Sequence, residues 1–274
     1  MSNPAGFGAG AGYGGAATVA ARVAGEVGER LVELRRTAPP GGPARLRDAA
    51  DRAADELVHE LLGSLAPGDA ILSEESPDSS ARLSAGRVWI VDPLDGTREF
   101  GVPGRTDWAV HVALWTAADG LVAGAVALPG LGLLLDSATV PRVGPRSPDT
   151  PLRIVVSRTR PPPAASSVAG ALAGAGGASF PVELIPRGSA GAKAAAVVTG
   201  EADVYLETGG LHEWDTAAPV AVARAAGLAV ASPDGSAVRF NRPDPLQHGL
   251  VVCRPELLAV VVTALESARR AGPG

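Results

Sequence analysis

The feature that most constrains this chain is a β-branched strand running without a break into paired carboxylates. Residues 87–91 read as a compact buried strand, and the chain continues Asp92-Pro93-Leu94-Asp95-Gly96-Thr97. Pro93 fixes φ and Gly96 permits close approach of the backbone to a ligand, so a sharp turn is expected. Such a turn lets the carboxylates of Asp92 and Asp95 converge, with the Leu94 carbonyl pointing the same way. Carboxylates and a carbonyl form an all-oxygen environment that selects magnesium or manganese over zinc. The amides of Gly96 and Thr97 would then face outward as donors to an anion. Hard cations beside amide donors are what phosphate-ester cleavage needs. Asp-Pro and Asp-Gly are also common turn dipeptides. What favours a site is the place of this turn directly after a buried strand, with Glu74 after the preceding strand.

Composition narrows the partners. Apolar residues make up 46% of the chain, charged residues 19% and aromatics 4%, and the net charge is −5. These values suit a globular protein with an aliphatic core. They leave no aromatic platform for single-stranded nucleic acid and no basic stripe for a duplex, so long nucleic acid is not an expected partner. A small phosphorylated ligand remains compatible, because bound cations can supply the positive charge. The one cysteine, Cys253, excludes an intramolecular disulfide and a cysteine-rich zinc site, which fits a reducing cytoplasm. His59, His111, His212 and His248 show no metal-ligand spacing. No apolar run reaches the length of a membrane span, and no signal peptide is apparent.

Along the chain, residues 1–15 read as a flexible Gly/Ala-rich tail; its G-x-G-x-x-G pattern lacks the preceding strand that dinucleotide binding requires. Amphipathic helices are expected over 17–36 and 45–65, the second with Ala50, Ala53, Leu57, Leu61 and Leu65 on one stripe. Strands follow at 70–72, 87–91, 108–115, 121–128 and 131–136. These give residues 16–145 as an N-terminal lobe of a helix pair and a mostly antiparallel sheet. Beyond a Pro/Arg/Ser-rich boundary, strands at 152–156, 182–185, 203–206 and 250–253 alternate with helices at 164–173, 190–199, 214–226 and from 255. A hairpin is expected around Asp234-Gly235. Residues 146–274 are therefore expected to be a layered α/β lobe. The overall class is α/β with an α+β first half.

Further acids sit at element ends. Glu74 and Glu75 follow the first strand, and Asp215 opens the helix over 214–226. Taken singly, Ser73-Glu74-Glu75 reads as a solvated loop or cap, Asp215 as a helix cap, and Asp51 as helix surface charge.

Together these residues resemble the inositol monophosphatase-like superfamily of magnesium-dependent, lithium-sensitive phosphatases. Its signature is a Glu-Glu pair, then D-P-[IL]-D-G-T, then W-D, and here these are Glu74-Glu75, Asp92 to Thr97 and Trp214-Asp215. Leu72-Ser73 before the acidic pair, Arg98-Glu99-Phe100, Gly188-Ser189-Ala190-Gly191-Ala192-Lys193 and Trp214 to Pro219 look like the 3'(2'),5'-bisphosphate nucleotidase branch. The resemblance implies a layered α-β-α-β-α sandwich of the inositol monophosphatase and fructose-1,6-bisphosphatase type. It implies removal of the 3'-phosphate of adenosine 3',5'-bisphosphate to give AMP, with overlap onto its 5'-phosphosulfate analogue, and a link to sulfate assimilation. Inositol-1-phosphate and fructose 1,6-bisphosphate are the alternative substrates.

By the same resemblance, two magnesium ions are held by Glu74, Asp92, the Leu94 carbonyl, Asp95 and Asp215, with room for a third, weaker one near Glu74. Glu74 and Thr97, the latter oriented by Asp51, would activate water for in-line attack without a phosphoenzyme. Gly96, Thr97, Gly188, Ser189, Lys193 and Asp215 would contact the substrate, with Lys193 facing the 5'-phosphate. Arg98 would reach a phosphate or pair with Glu99. Where the family has T-x-A-D, this chain has Asp48-Ala49-Ala50-Asp51, so the upstream threonine is missing. The expected assembly is a monomer or homodimer. Two rivals stand beside this reading. A haloacid-dehalogenase-type phosphatase needs D-x-D, whereas Asp92 and Asp95 are spaced D-x-x-D. A non-catalytic protein that binds a phosphorylated ligand would keep the fold without turnover.

Overall fold

The computed structural model describes residues 14–37, 42–146, 150–174 and 181–271. Most of the expected tail, residues 1–13, lies outside them, as do residues 38–41 of the expected helix break. The chain runs α1 (Gly14–Thr37), α2 (Gly42–Leu65), β1 (Ala70–Ser73), β2 (Arg87–Asp95), α3 (Thr97–Phe100), β3 (Ala109–Thr116), β4 (Gly120–Leu128) and β5 (Leu133–Asp136). It continues β6 (Leu152–Ser157), α4 (Ala165–Gly174), β7 (Val182–Arg187), α5 (Ala190–Val198), β8 (Val204–Glu207), β9 (Leu211–His212) and α6 (Glu213–Ala225). Last come β10 (Ala229–Ala231), β11 (Leu246–Gln247), β12 (Leu250–Cys253) and α7 (Leu258–Ala271).

The first sheet has the order β1-β2-β3-β4-β5, and the second β10-β12-β8-β6-β7. In the first, β1 and β2 are parallel and the other pairs antiparallel. One of its faces packs against α1 and α2, joining Val23, Val27 and Leu31 to Trp89, Val91, Val112 and Leu114. Its other face shares a core with α5 and α6, which also pack on the second sheet through Val155, Tyr205 and Val252. On the far side, α4 and α7 close a third core around Ile154, Leu206 and Val251. The layers are therefore α-β-α-β-α, the expected sandwich, with α5 and α6 at its centre.

Three local expectations need correction. The fully buried face of α2 is Ala50, Ala54, Val58 and Leu62. Ala53, Leu57, Leu61 and Leu65 flank it, partly buried, because both rows pack into the same core. The chain does not turn sharply after Val91. Strand β2 carries on to Asp95, and its pairing with β3 slips in register between Asp92 and Asp95. This is a bulge at Pro93, which has no N–H to give the ladder. The turn around Asp234-Gly235 exists, closed by the Gly235 amide on the Ser232 carbonyl. It leads to no second strand, and β10 pairs with β12 instead.

Candidate metal and phosphate site

The β2 bulge does what the expected turn was to do. It aims Asp92 and Asp95 toward one side, and α6 brings Asp215 to meet them. One oxygen from each of the three lies within 4.8 Å of the others. The last residue of β1 is Ser73, so Glu74 arrives from the neighbouring parallel strand. Gly96 then takes φ 85°, a left-handed conformation that disfavours side chains, and opens the short α3 at Thr97. The result is a cavity of about 550 Å³ lined by Glu74, Asp92, Leu94, Asp95, Gly96, Thr97, Gly188, Ser189, Lys193 and Asp215 among others.

Every expected metal ligand and substrate contact thus borders one cavity. Asp51 stands behind it on α2, with its Oδ1 3.2 Å from the Thr97 hydroxyl, which also lies 3.1 Å from the Leu94 carbonyl. The missing upstream threonine does not disturb this contact. Asp215 serves two ends: its Oδ2 accepts from the His212 amide at 2.5 Å, capping α6, while the side chain borders the cavity.

The electrostatics are those of crowded, buried carboxylates. Asp92 is 1% exposed. Its Oδ1 accepts from the Leu94 amide at 3.0 Å, and among the described residues no hydrogen-bond donor reaches its Oδ2. Burial first, then the charges of Glu74, Asp95 and Asp215, raise its pKa well above the ordinary range. Desolvation and the Asp215 and Asp95 charges push Glu74 to about 7, although the residue as a whole is exposed. Desolvation and Asp95 push Asp215 to about 6. Desolvation and Glu75 do the same for Asp51, also to about 6. Asp95 goes the other way. Burial opposes its charge, but His111 and the Gly191 amide, 2.7 Å from Oδ2, hold its carboxyl low. An orphaned buried oxygen, an all-carboxylate donor set and mutual repulsion are the conditions a hard divalent cation relieves.

His111 was not singled out in the sequence. It is fully buried on β3, opposite Asp92 in the ladder, with Nε2 3.2 Å from Asp95 Oδ2 and Nδ1 3.1 Å from the Trp214 carbonyl. It therefore ties the β2 carboxylate to the start of α6, where Asp215 sits. It is the one polar residue in the apolar run from Ala109 to Trp115, which looks like an ordinary buried strand, and only the cross-strand register reveals the role. The glycines of the Gly188 to Lys193 segment serve neighbours within the protein. A Cβ on Gly191 would lie 2.3 Å from His111 Nε2, and one on Gly188 2.3 Å from Glu99 Cγ. Ser189 caps α5, accepting from the Ala192 amide at 2.9 Å.

Lys193 borders the cavity with its ammonium already engaged. Its ammonium donates to the Gly188 carbonyl at 3.1 Å, lies 3.6 Å from Glu207 and sits over the Tyr205 ring. Its charge is spent inside the wall. Arg98 does not pair with Glu99, whose carboxylate is held by Arg158. Among the described residues the Arg98 guanidinium has no partner, and it borders the cavity.

Comparison with known proteins agrees with this layout. The model of the Inositol monophosphatase family matches residues 12–270. A 3'-phosphoadenosine 5'-phosphate phosphatase of Mycobacterium leprae is 45% identical over 257 residues, covering 90% of this chain and 92% of the relative. Among solved structures, CysQ from Bacteroides thetaiotaomicron superposes with a TM-score of 0.69 at 26% identity, covering 87% of this chain and 97% of that one. Inositol monophosphatase II from Staphylococcus aureus reaches a TM-score of 0.74 at 19% identity, over 93% and 94% of the two chains, a likeness of fold. With nearly its whole length matched, and with the layers and acidic cavity that the resemblance implied, the chain belongs to the inositol monophosphatase family.

Proposed function

We propose that the chain is a magnesium-dependent phosphomonoesterase that hydrolyses the 3'-phosphate of adenosine 3',5'-bisphosphate to give AMP and phosphate. The observation that carries the chemistry is the convergence of Asp92, Asp95 and Asp215 on one point of a roomy cavity, with Glu74 beside them. The substrate follows from the mycobacterial relative, which is named for it and matches nearly end to end.

In this reading Glu74, Asp92, the Leu94 carbonyl, Asp95 and Asp215 hold two magnesium ions. When bound, such ions lower the pKa of a coordinated water and neutralise charge that develops on phosphate oxygens. The chain's own residues do the rest. The Thr97 hydroxyl, within reach of Asp51, accepts a proton from the attacking water as it passes its own to the Asp51 carboxylate. A carboxyl whose pKa lies at about 6 is matched to that transfer near neutral pH. The amides of Gly96 and Thr97 orient the phosphate. Ser189 and Gly188 form the opposite wall, and Lys193, neutralised by Glu207, stiffens that wall. Arg98, a cation without a partner among the described residues, stands at the rim for a second phosphate.

The test is phosphate release from adenosine 3',5'-bisphosphate, inositol 1-phosphate and fructose 1,6-bisphosphate in magnesium. Highest kcat/KM on the nucleotide is expected. A preference for either sugar phosphate would overturn the substrate assignment, and no release from any of them would overturn the enzyme.

A further inference from the structure

A second cavity adjoins the first. Its volume is about 1010 Å³, and Pro163 and Thr208 line both cavities. It opens between α7 and the segment over residues 232–248. Arg239, Arg242, Arg269 and His248 stand in its wall, and Asp234 is the sole acid there. That acid is engaged: its Oδ1 accepts from the Ser236 amide and hydroxyl, and the Arg269 charge acts on it as well. Arg242 reaches the Leu246 carbonyl at 3.1 Å. Among the described residues no hydrogen bond or ion pair engages the side chains of Arg239 and His248, and both are exposed. Ala164, Pro233, Leu265 and Ala268 add an apolar floor.

For a chain of net charge −5, this is a marked local excess of positive charge. A cleft with an excess of one sign concentrates the opposite one, and guanidinium groups match phosphate oxygens in shape as well as charge. The first cavity, at about 550 Å³, already lies in the range that encloses a whole mononucleotide. The cationic cavity is therefore surplus to such a substrate, yet it shares a wall with the place where one would sit.

We infer that the second cavity takes the distal, anionic part of a longer substrate. The ligand class is a nucleoside 3'-phosphate whose 5' side continues through a diphosphate to a second nucleoside. Its 3'-phosphate lies at the carboxylates, its diphosphate meets Arg239 and Arg269, and its far nucleoside rests on the apolar floor. This inference rests on the phosphatase function proposed above.

The experiment is steady-state phosphate release by the wild-type protein and by the double variant Arg239→Ala, Arg269→Ala. One substrate is adenosine 3',5'-bisphosphate. The other is diadenosine 5',5'-diphosphate bearing one 3'-phosphate. The double variant should keep kcat and KM on the short substrate within twofold, which also reports an intact fold. Its KM on the long substrate should rise at least tenfold. Unchanged KM on the long substrate overturns the inference, as does an equal loss on both substrates. Wild-type cleavage of the short substrate alone also overturns it and leaves the phosphatase function standing. No release from either substrate removes both.

Discussion

Replacing Asp215 by Asn should stabilise the metal-free protein at neutral pH while weakening its response to magnesium. The side chain keeps its shape and an oxygen to accept from the His212 amide. What it loses is a charge held beside Asp95 in a site largely closed to water. The folded-state pKa of Asp215 lies at about 6, against 3.8 for the free group. A raised carboxyl pKa means that the folded state binds a proton the unfolded state has released. Metal-free stability therefore falls as pH climbs from about 4 to about 6, and the full penalty stands above that window. At 1.36 kcal/mol per pKa unit, the penalty is about 3 kcal/mol at pH 7.5 and about 1 kcal/mol at pH 4.5. With roughly 2–4 °C of Tm per kcal/mol for a chain of this size, Asp215→Asn should melt about 6–12 °C above wild type in EDTA at pH 7.5. The gap should shrink to about 2–4 °C at pH 4.5. Adding magnesium should raise the wild-type Tm by more than the variant's, because the amide has already removed part of the repulsion that the cation relieves and has weakened one ligand. Thermal melts at both pH values, with EDTA and with magnesium, provide the four comparisons. A variant that melts at or below wild type in EDTA at pH 7.5 refutes the crowded-carboxylate account.

Asp95→Asn should reduce turnover by more than a thousandfold at saturating magnesium with the circular dichroism spectrum unchanged, and millimolar lithium should inhibit the wild type; phosphate-release assays read both. His111→Ala removes the bridge between Asp95 and the Trp214 carbonyl, and should weaken apparent magnesium affinity about 10–100-fold, as loss of an outer-shell partner typically does, measured by magnesium titration of activity. Gly191→Ala would place a methyl 2.8 Å from Ala109 Cβ and against the His111 ring, so urea unfolding should report a loss of about 1–3 kcal/mol.

Local signals carried the sequence reading where chemistry and structure coincide in one short segment. Asp92 to Thr97 was legible because a buried strand precedes it and few residues separate its acids. Asp215 was legible only through its place in Trp214-Asp215, since a carboxylate near a helix start is usually a cap, and here it is a cap as well. His111 and the partner of Lys193 were not legible. Each depends on which strands lie side by side: His111 on the register of β3 against β2, and Glu207 on the placement of β8. The rotated face of α2 shows a milder form of the same limit. Helical periodicity locates an apolar stripe, but the sheet beneath decides which row is at its centre.

The central layer has a consequence for how the protein could be divided. Glu74, Asp92 and Asp95 come from elements before residue 146, and Asp215 comes from α6, which packs on both sheets. A fragment ending near 146 would keep most of the carboxylates but lose the helix that completes them. Its complement would hold one acid and an uncovered face. Cation binding at the proposed site would thus be a logical conjunction of the two halves. In a split-protein pair, magnesium-dependent phosphate release would serve as a reporter of reassembly, with no fluorophore or tag attached.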